Sequence, residues 1–88
     1  MVEIAGPARL FPPKSPPLSP AQCRAARGLL DWTQERLAEA AGVSRSTVRD
    51  FECGRHELHR STAEQIVGAF GLAGAVLLPE GDGVRFAP

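Results

Sequence analysis

The chain has 88 residues, which is room for one small domain. Ten Lys and Arg balance ten Asp and Glu, so composition gives no sign of a nucleic-acid partner. No apolar run approaches the ~20 residues of a membrane helix, the first residues do not resemble a signal peptide, and two cysteines are too few for a disulfide scaffold, so we expect a reduced, cytoplasmic protein.

Residues 1–18 contain five prolines, and we call this segment the N-terminal arm. Proline removes a backbone donor and fixes φ, so we expect the arm to be extended or disordered. Residues 19–73 carry helical patterns and residues 74–88 form a tail of a different kind. The chain is thus divided into an arm, a helical domain and a tail.

The first helix has clear start and stop signals. Ser19 suits the N-cap, Pro20 the first helical position, and Gln22 can bond back to the cap. The apolar side of this helix includes Cys23, which we expect to be a small core residue. The helix should end near Asp31.

The next two helices are short and separated by a tight turn. The second runs from about Gln34 to Ala41, and Gly42 should end it in the left-handed conformation. The third is capped by Ser44 and ends at Gly54. Helical spacing places Val48 and Phe51 of this third helix on its inward side.

A fourth helix and a hairpin complete the pattern. The helix should begin at Ser61 or Thr62 and be broken by Gly71. Two β-prone runs, 75–78 and 84–86, flank a turn-rich segment and predict a β-hairpin.

Residues 33–54 form one unit of helix, turn and helix. Ala38 is small where the two helices must touch, Gly42 stands at the turn, and Val43 can fill the space beneath it. This run resembles the Cro/repressor (XRE-like) helix-turn-helix family, and the resemblance extends over residues 19 to about 72. It implies an all-α bundle of four or five helices that binds operator DNA, with the third helix in the major groove.

The exposed side of this recognition helix supplies the candidate DNA contacts. The predicted base contacts are Arg45, Ser46, Arg49 and Asp50. The predicted phosphate contacts are Gln34, Ser44, Thr47, Arg55 and His56. Asp50 can either accept a hydrogen bond from a cytosine amino group or orient a neighbouring arginine, and we favour the second role.

Other polar residues are expected to be structural or plain surface. The resemblance implies an ion pair between Arg27 and Glu52 that belongs to the scaffold. Arg24 and Arg36 are expected to be ordinary surface charges. Trp32 should pack at the core or its rim.

We expect neither a metal nor another cofactor. Cys53, His56 and His59 have tolerable spacing for metal ligands, but a closed zinc site needs four aligned ligands and Gly54 interrupts the helix. No nucleophile, base and orienting residue form a catalytic pattern, so we do not expect an enzyme.

The expected function is a sequence-specific transcriptional regulator that binds duplex DNA as a homodimer on a palindromic operator. The hairpin is the expected dimer interface, through Val76, Leu77, Leu78, Val84 and Phe86, with help from Phe70 and Leu72 of the fourth helix. An alternative is an antitoxin whose arm folds on a protein toxin. A third hypothesis is a domain for protein contacts alone, and a polymerase contact also remains open.

Overall fold

The computed structural model describes residues 18–79 and 83–87, which form four helices followed by an antiparallel hairpin. The helices are α1 Pro20–Leu30, α2 Gln34–Ala41, α3 Arg45–Glu52 and α4 Arg60–Ala73, and the strands are β1 Ala75–Leu77 and β2 Val84–Phe86. The predicted helical bundle with a C-terminal hairpin is confirmed. The arm lies outside the described residues except for Leu18, which is fully buried and therefore belongs to the core.

The first two helices begin as their caps predict. Ser19 accepts from the backbone N–H of Gln22, and the Gln22 side chain accepts from the backbone N–H of Ser19, which completes a capping box. Thr33 caps α2 by accepting from the backbone N–H of Arg36. Asp31, between them, takes the left-handed conformation at φ +59°, a state that Asp tolerates better than most residues.

The turn between α2 and α3 requires a glycine. Gly42 ends α2 at φ +73°, a conformation that costs residues with a Cβ more than glycine. Two residues later Ser44 caps α3, as predicted. Val43 is half-buried between them and packs against the core.

The predicted limits of α4 were wrong at both ends. The helix begins at Arg60, one residue before Ser61 and two before Thr62, with His59 at the N-cap, and the His59 side chain caps no described backbone amide. It continues through Gly71 to Ala73 and stops at Gly74, which has φ +99°. A glycine inside a helix lowers its stability without ending it, whereas a glycine in the left-handed conformation does end it.

The core lies where the four helices meet. Its largest fully buried side chains include Phe70, Leu37, Ile66 and Val48. Trp32 is half-buried at the edge of this core, with its ring centroid 6.1 Å from that of Phe70. Because Phe70 is fully buried, it cannot form part of a dimer surface, contrary to expectation.

The hairpin packs against the helical domain. Ala75 pairs with Phe86, Val76 with Arg85, and Leu77 with Val84. Both strands contact α1, and β1 also contacts α4. Leu77 and Val84 pack against the core, so one face of the hairpin is covered by its own chain.

Candidate nucleic-acid interface

Helix α3 is fixed on one side and open on the other. Val48 and Phe51 are buried and hold the helix against α2. On the opposite side, Arg45, Ser46 and Arg49 are exposed. The helix can therefore present these three side chains to a partner without changing its own packing.

The N-terminus of α3 is organised by its cap. Ser44 Oγ lies 3.1 Å from the backbone nitrogen of Thr47 and accepts its hydrogen, and it is 2.7 Å from Thr47 Oγ1. A second contact joins Ser44 Oγ to Ser46 Oγ at 3.2 Å. Hydroxyls and backbone amides thus cluster at the end of the helix whose dipole favours an anion.

The two arginines of α3 differ in whether they form an ion pair. Arg49 Nε lies 3.2 Å from Asp50 Oδ1, and Asp50 is half-buried, so the carboxylate holds the guanidinium of its neighbour. Within residues 18–79 and 83–87, Arg45 has no ion-pair partner. Arg45 is therefore the cation of α3 with the more freely available donors.

Glu52, at the end of α3, binds three residues of two other helices through its carboxylate. Arg27 Nε donates to Oε2 and Arg27 Nη2 to Oε1, both at 2.8 Å. Cys23 Sγ donates to Oε2 at 3.0 Å, and Gln34 Nε2 donates to Oε1 at 3.0 Å. We call these four residues the Glu52 cluster. It ties α3 to α1 and to the start of α2.

Opposing effects set the ionisation of this cluster. Burial alone raises the pKa of the Glu52 carboxyl, but the hydrogen bonds from Arg27, Cys23 and Gln34 outweigh it and hold that pKa below its usual value. Burial raises the pKa of the Cys23 thiol, and the adjacent Glu52 carboxylate raises it further. Glu52 is therefore ionised at neutral pH and Cys23 is protonated.

The residues predicted to contact phosphates differ in their exposure and in their hydrogen bonds. Gln34 is half-buried and commits one amide hydrogen to Glu52. Arg55 and His56 are exposed just beyond α3, where the backbone carbonyl of Asp50 accepts from both of their backbone N–H groups, at 2.8 and 3.3 Å. His56 also lines a cleft of ≈ 250 Å³ together with Ser46 and Thr47.

Sequence reasoning missed part of these contacts. The inward spacing of Cys23 indicates burial, yet it does not reveal the bond to Glu52. Arg24 is exposed as expected, but its guanidinium donates to the backbone carbonyl of Glu52. Arg36 is also exposed, and its guanidinium carbon lies 5.4 Å from the Trp32 ring centroid.

The described residues can also be compared with the requirements of a metal site and of a membrane-spanning helix. No three His, Cys, Asp or Glu side chains in residues 18–79 and 83–87 are grouped to hold a metal ion. Over the same residues, no helix has both the length and the apolar character needed to cross a membrane.

Comparison with known proteins agrees with this geometry. A family model described as helix-turn-helix matches residues 24–77, more than half of the chain, from α1 to the end of β1. No curated protein gives a significant match. The matched range contains α3, its N-cap Ser44 and three of the four residues of the Glu52 cluster, all but Cys23. The chain therefore belongs to the helix-turn-helix family and is a DNA-binding regulator of the XRE, or Cro/repressor-like, kind.

Proposed function

We propose that the protein is a sequence-specific transcriptional regulator that reads the major groove of duplex DNA with α3, as a homodimer on a palindromic operator. The proposal is supported chiefly by α3, which has one buried side and one exposed, positively charged side. On one side Val48, Phe51 and Glu52 are buried, and on the other Arg45 is exposed without an ion-pair partner among residues 18–79 and 83–87. The proposal entails a cytoplasmic protein that is associated with the nucleoid when bound to DNA.

Base recognition is assigned first to Arg45. It is the first residue of α3, and side chains near the start of a recognition helix reach base edges best. Arg can donate two hydrogen bonds to guanine O6 and N7, which gives roughly 1–3 kcal/mol of discrimination. Ser46 and Arg49 are the neighbouring readers, and the bond from Arg49 to Asp50 supports the role of Asp50 in orienting that guanidinium.

Phosphate contacts are assigned to the residues around the N-terminus of α3 and to the segment that follows it. Ser44 and Thr47 lie at the positive end of the helix dipole. Gln34 donates one amide hydrogen to Glu52, which orients its side chain, and the other hydrogen has no acceptor within residues 18–79 and 83–87. Arg55 and His56 are exposed just beyond the C-terminal end of α3. These contacts set the register of the helix on DNA without reading sequence.

Dimerisation is assigned to the hairpin and the end of α4. Phe86 is 57% exposed and pairs with Ala75, and Leu72 is 94% exposed three residues before Ala75 in the chain. Val76 lies on the other face of the hairpin, opposite Arg85, and it is half-buried, as are Leu77, Leu78 and Val84. Two copies double the phosphate contacts, which offsets the zero net charge of one copy.

Selection of bound sequences from a random duplex library tests this function. The expected result is a palindromic site with a preferred spacing between half-sites. Arg45→Ala should relax the preference at one base position in each half-site. Arg60→Ala removes the same charge from the exposed start of α4, to which no DNA or dimer contact is assigned, and should leave the selected sequence unchanged. Failure of the wild-type protein to enrich any sequence would contradict the proposal.

A further inference from the structure

Gln22 is a buried polar residue whose side chain does more than cap α1. It is only 4% exposed, and its carbonyl oxygen Oε1 accepts from the backbone N–H of Ser19 at 3.1 Å. Its amide nitrogen Nε2 donates to the carbonyl of Leu78 at 2.8 Å and to that of Gly83 at 3.2 Å. Both amide hydrogens therefore form hydrogen bonds with a segment more than 50 residues away in the sequence.

The two carbonyls mark the turn end of the hairpin. Leu78 directly follows β1 and Gly83 directly precedes β2, and the backbone N–H of Leu78 also donates to the Gly83 carbonyl at 2.8 Å. One side-chain amide therefore binds both strands where they approach the turn. We call these two hydrogen bonds the hairpin contact. An isolated two-stranded hairpin is marginally stable in water, so a fixed position depends on such contacts.

Capping alone does not account for an amide at this position. The capping box uses only an acceptor at the third helical residue, and Glu serves it as well as Gln. The hairpin contact instead requires two donors, which Glu in its ionised form lacks. The donor half of Gln22 is therefore directed to the hairpin.

Residues that follow Gln22 in α1 also bind the recognition helix. Cys23, the next residue, and Arg27 donate to Glu52 at the end of α3. Helix α1 is thus joined to the hairpin through Gln22, and it is joined to α3 through Cys23 and Arg27. A displacement of the hairpin along α1 changes its position relative to α3.

We propose that Gln22 positions the hairpin relative to the recognition helix and thereby sets the spacing of the two half-sites that the dimer binds. This inference rests on the proposed dimerisation through the hairpin. In a symmetric dimer, the distance and angle between the two α3 helices follow from where the interface lies on each subunit. Gln22 is a positioning residue and does not contact DNA.

The test compares Gln22→Glu, Gln22→Met and Ser19→Ala. The Glu variant keeps the cap and removes both donors, and the Met variant keeps the size of the side chain without introducing a buried charge. Ser19→Ala removes the cap acceptor and leaves the hairpin contact in place. Backbone hydrogen exchange measures the hairpin itself. We expect the Leu78 amide to exchange at least about tenfold faster in both Gln22 variants and not in Ser19→Ala.

The second measurement is affinity for selected operators whose half-site spacing is changed by one base pair in either direction. We expect wild type and Ser19→Ala to lose about tenfold in affinity on such sites, and both Gln22 variants to lose much less, while preference within a half-site is unchanged. Faster hairpin exchange with undiminished spacing preference in the Gln22 variants would overturn the inference. A wild-type protein with no spacing preference would instead overturn dimeric binding, and this role of Gln22 with it.

Discussion

The Glu52 carboxylate accepts four hydrogen bonds from side chains and is 3% exposed, so it connects more of the scaffold than any residue of the proposed DNA face. Its bond to Arg27 could be expected from the resemblance to the Cro/repressor family. Its bonds to Cys23 and Gln34 could not, because periodicity identifies which side chains turn inward but not which polar atoms meet there.

Removing the charge of Arg27 should cost far more stability than removing an exposed charge. Arg27→Met leaves the Glu52 carboxylate buried without its main partner, for which we expect a loss of about 3–5 kcal/mol in the free energy of unfolding. Glu64→Ala is the matched control, since its 3.7 Å pair with Arg60 is exposed on both sides. That change should cost under about 1 kcal/mol. Urea unfolding followed by circular dichroism measures both, and equal losses would contradict the role of the cluster.

The lowered pKa of Glu52 makes part of the stability dependent on pH. A carboxyl with a lower pKa in the folded state stabilises the fold above its ordinary pKa of about 4.3, and this contribution is lost as the pH falls through the folded-state value. The advantage of wild type over Glu52→Gln should therefore be full at pH 7 and shrink below pH ~4.3. Urea titrations across this range give the difference. A constant difference down to the acid transition would rule out this linkage.

At the scale of the element, the signals that lie within a few residues of each other are the ones that the sequence predicts well. The caps at Ser19, Thr33 and Ser44 and the stop at Gly42 all depend on local geometry, and the structure has them. The limits of α4 depend instead on which glycine becomes left-handed. Gly71 and Gly74 are equally plausible stops in the sequence, and packing of the following strand on α1 and α4 decides between them.

Two glycines with different backbone conformations should respond in opposite directions to alanine. Gly42 has φ +73°, so Gly42→Ala should destabilise the protein by about 1 kcal/mol, although Gln65 Nε2 is 4.0 Å from the new Cβ and leaves room for it. Gly28 lies inside α1 with no described atom within 4 Å of a Cβ, so Gly28→Ala should stabilise by about 0.5–1 kcal/mol. Thermal unfolding compares them, and a shift of the same sign in both would contradict the backbone assignment.

At the scale of the whole molecule, the existence of the hairpin could be predicted, but its placement could not. Two β-prone runs and the turn-rich segment between them indicate two strands, yet nothing local indicates that Gln22 binds their turn end or that Leu77 and Val84 face the domain's own core. These contacts join segments far apart in the sequence. For the same reason the apolar surface left for a partner is smaller than the whole hairpin.

The remaining exposed apolar surface should control self-association. Leu72→Asp places a charge at a fully accessible position of α4, and we expect it to convert a dimer at tens of micromolar into a monomer without lowering thermal stability. Glu64→Ala, on the same helix, should remain dimeric. Sedimentation equilibrium distinguishes the two species. A wild-type monomer at these concentrations would remove the proposed interface.

Chemical protection of guanine N7 in a selected operator tests the central assignment of α3 most directly, because N7 is exposed only in the major groove. We expect the bound wild-type protein to protect guanines in each half-site from methylation. With the Arg45→Ala variant, one guanine in each half-site, at the same position in the two, should lose this protection. Binding that leaves every guanine N7 reactive would show that the Arg45 side of α3 does not lie in the major groove.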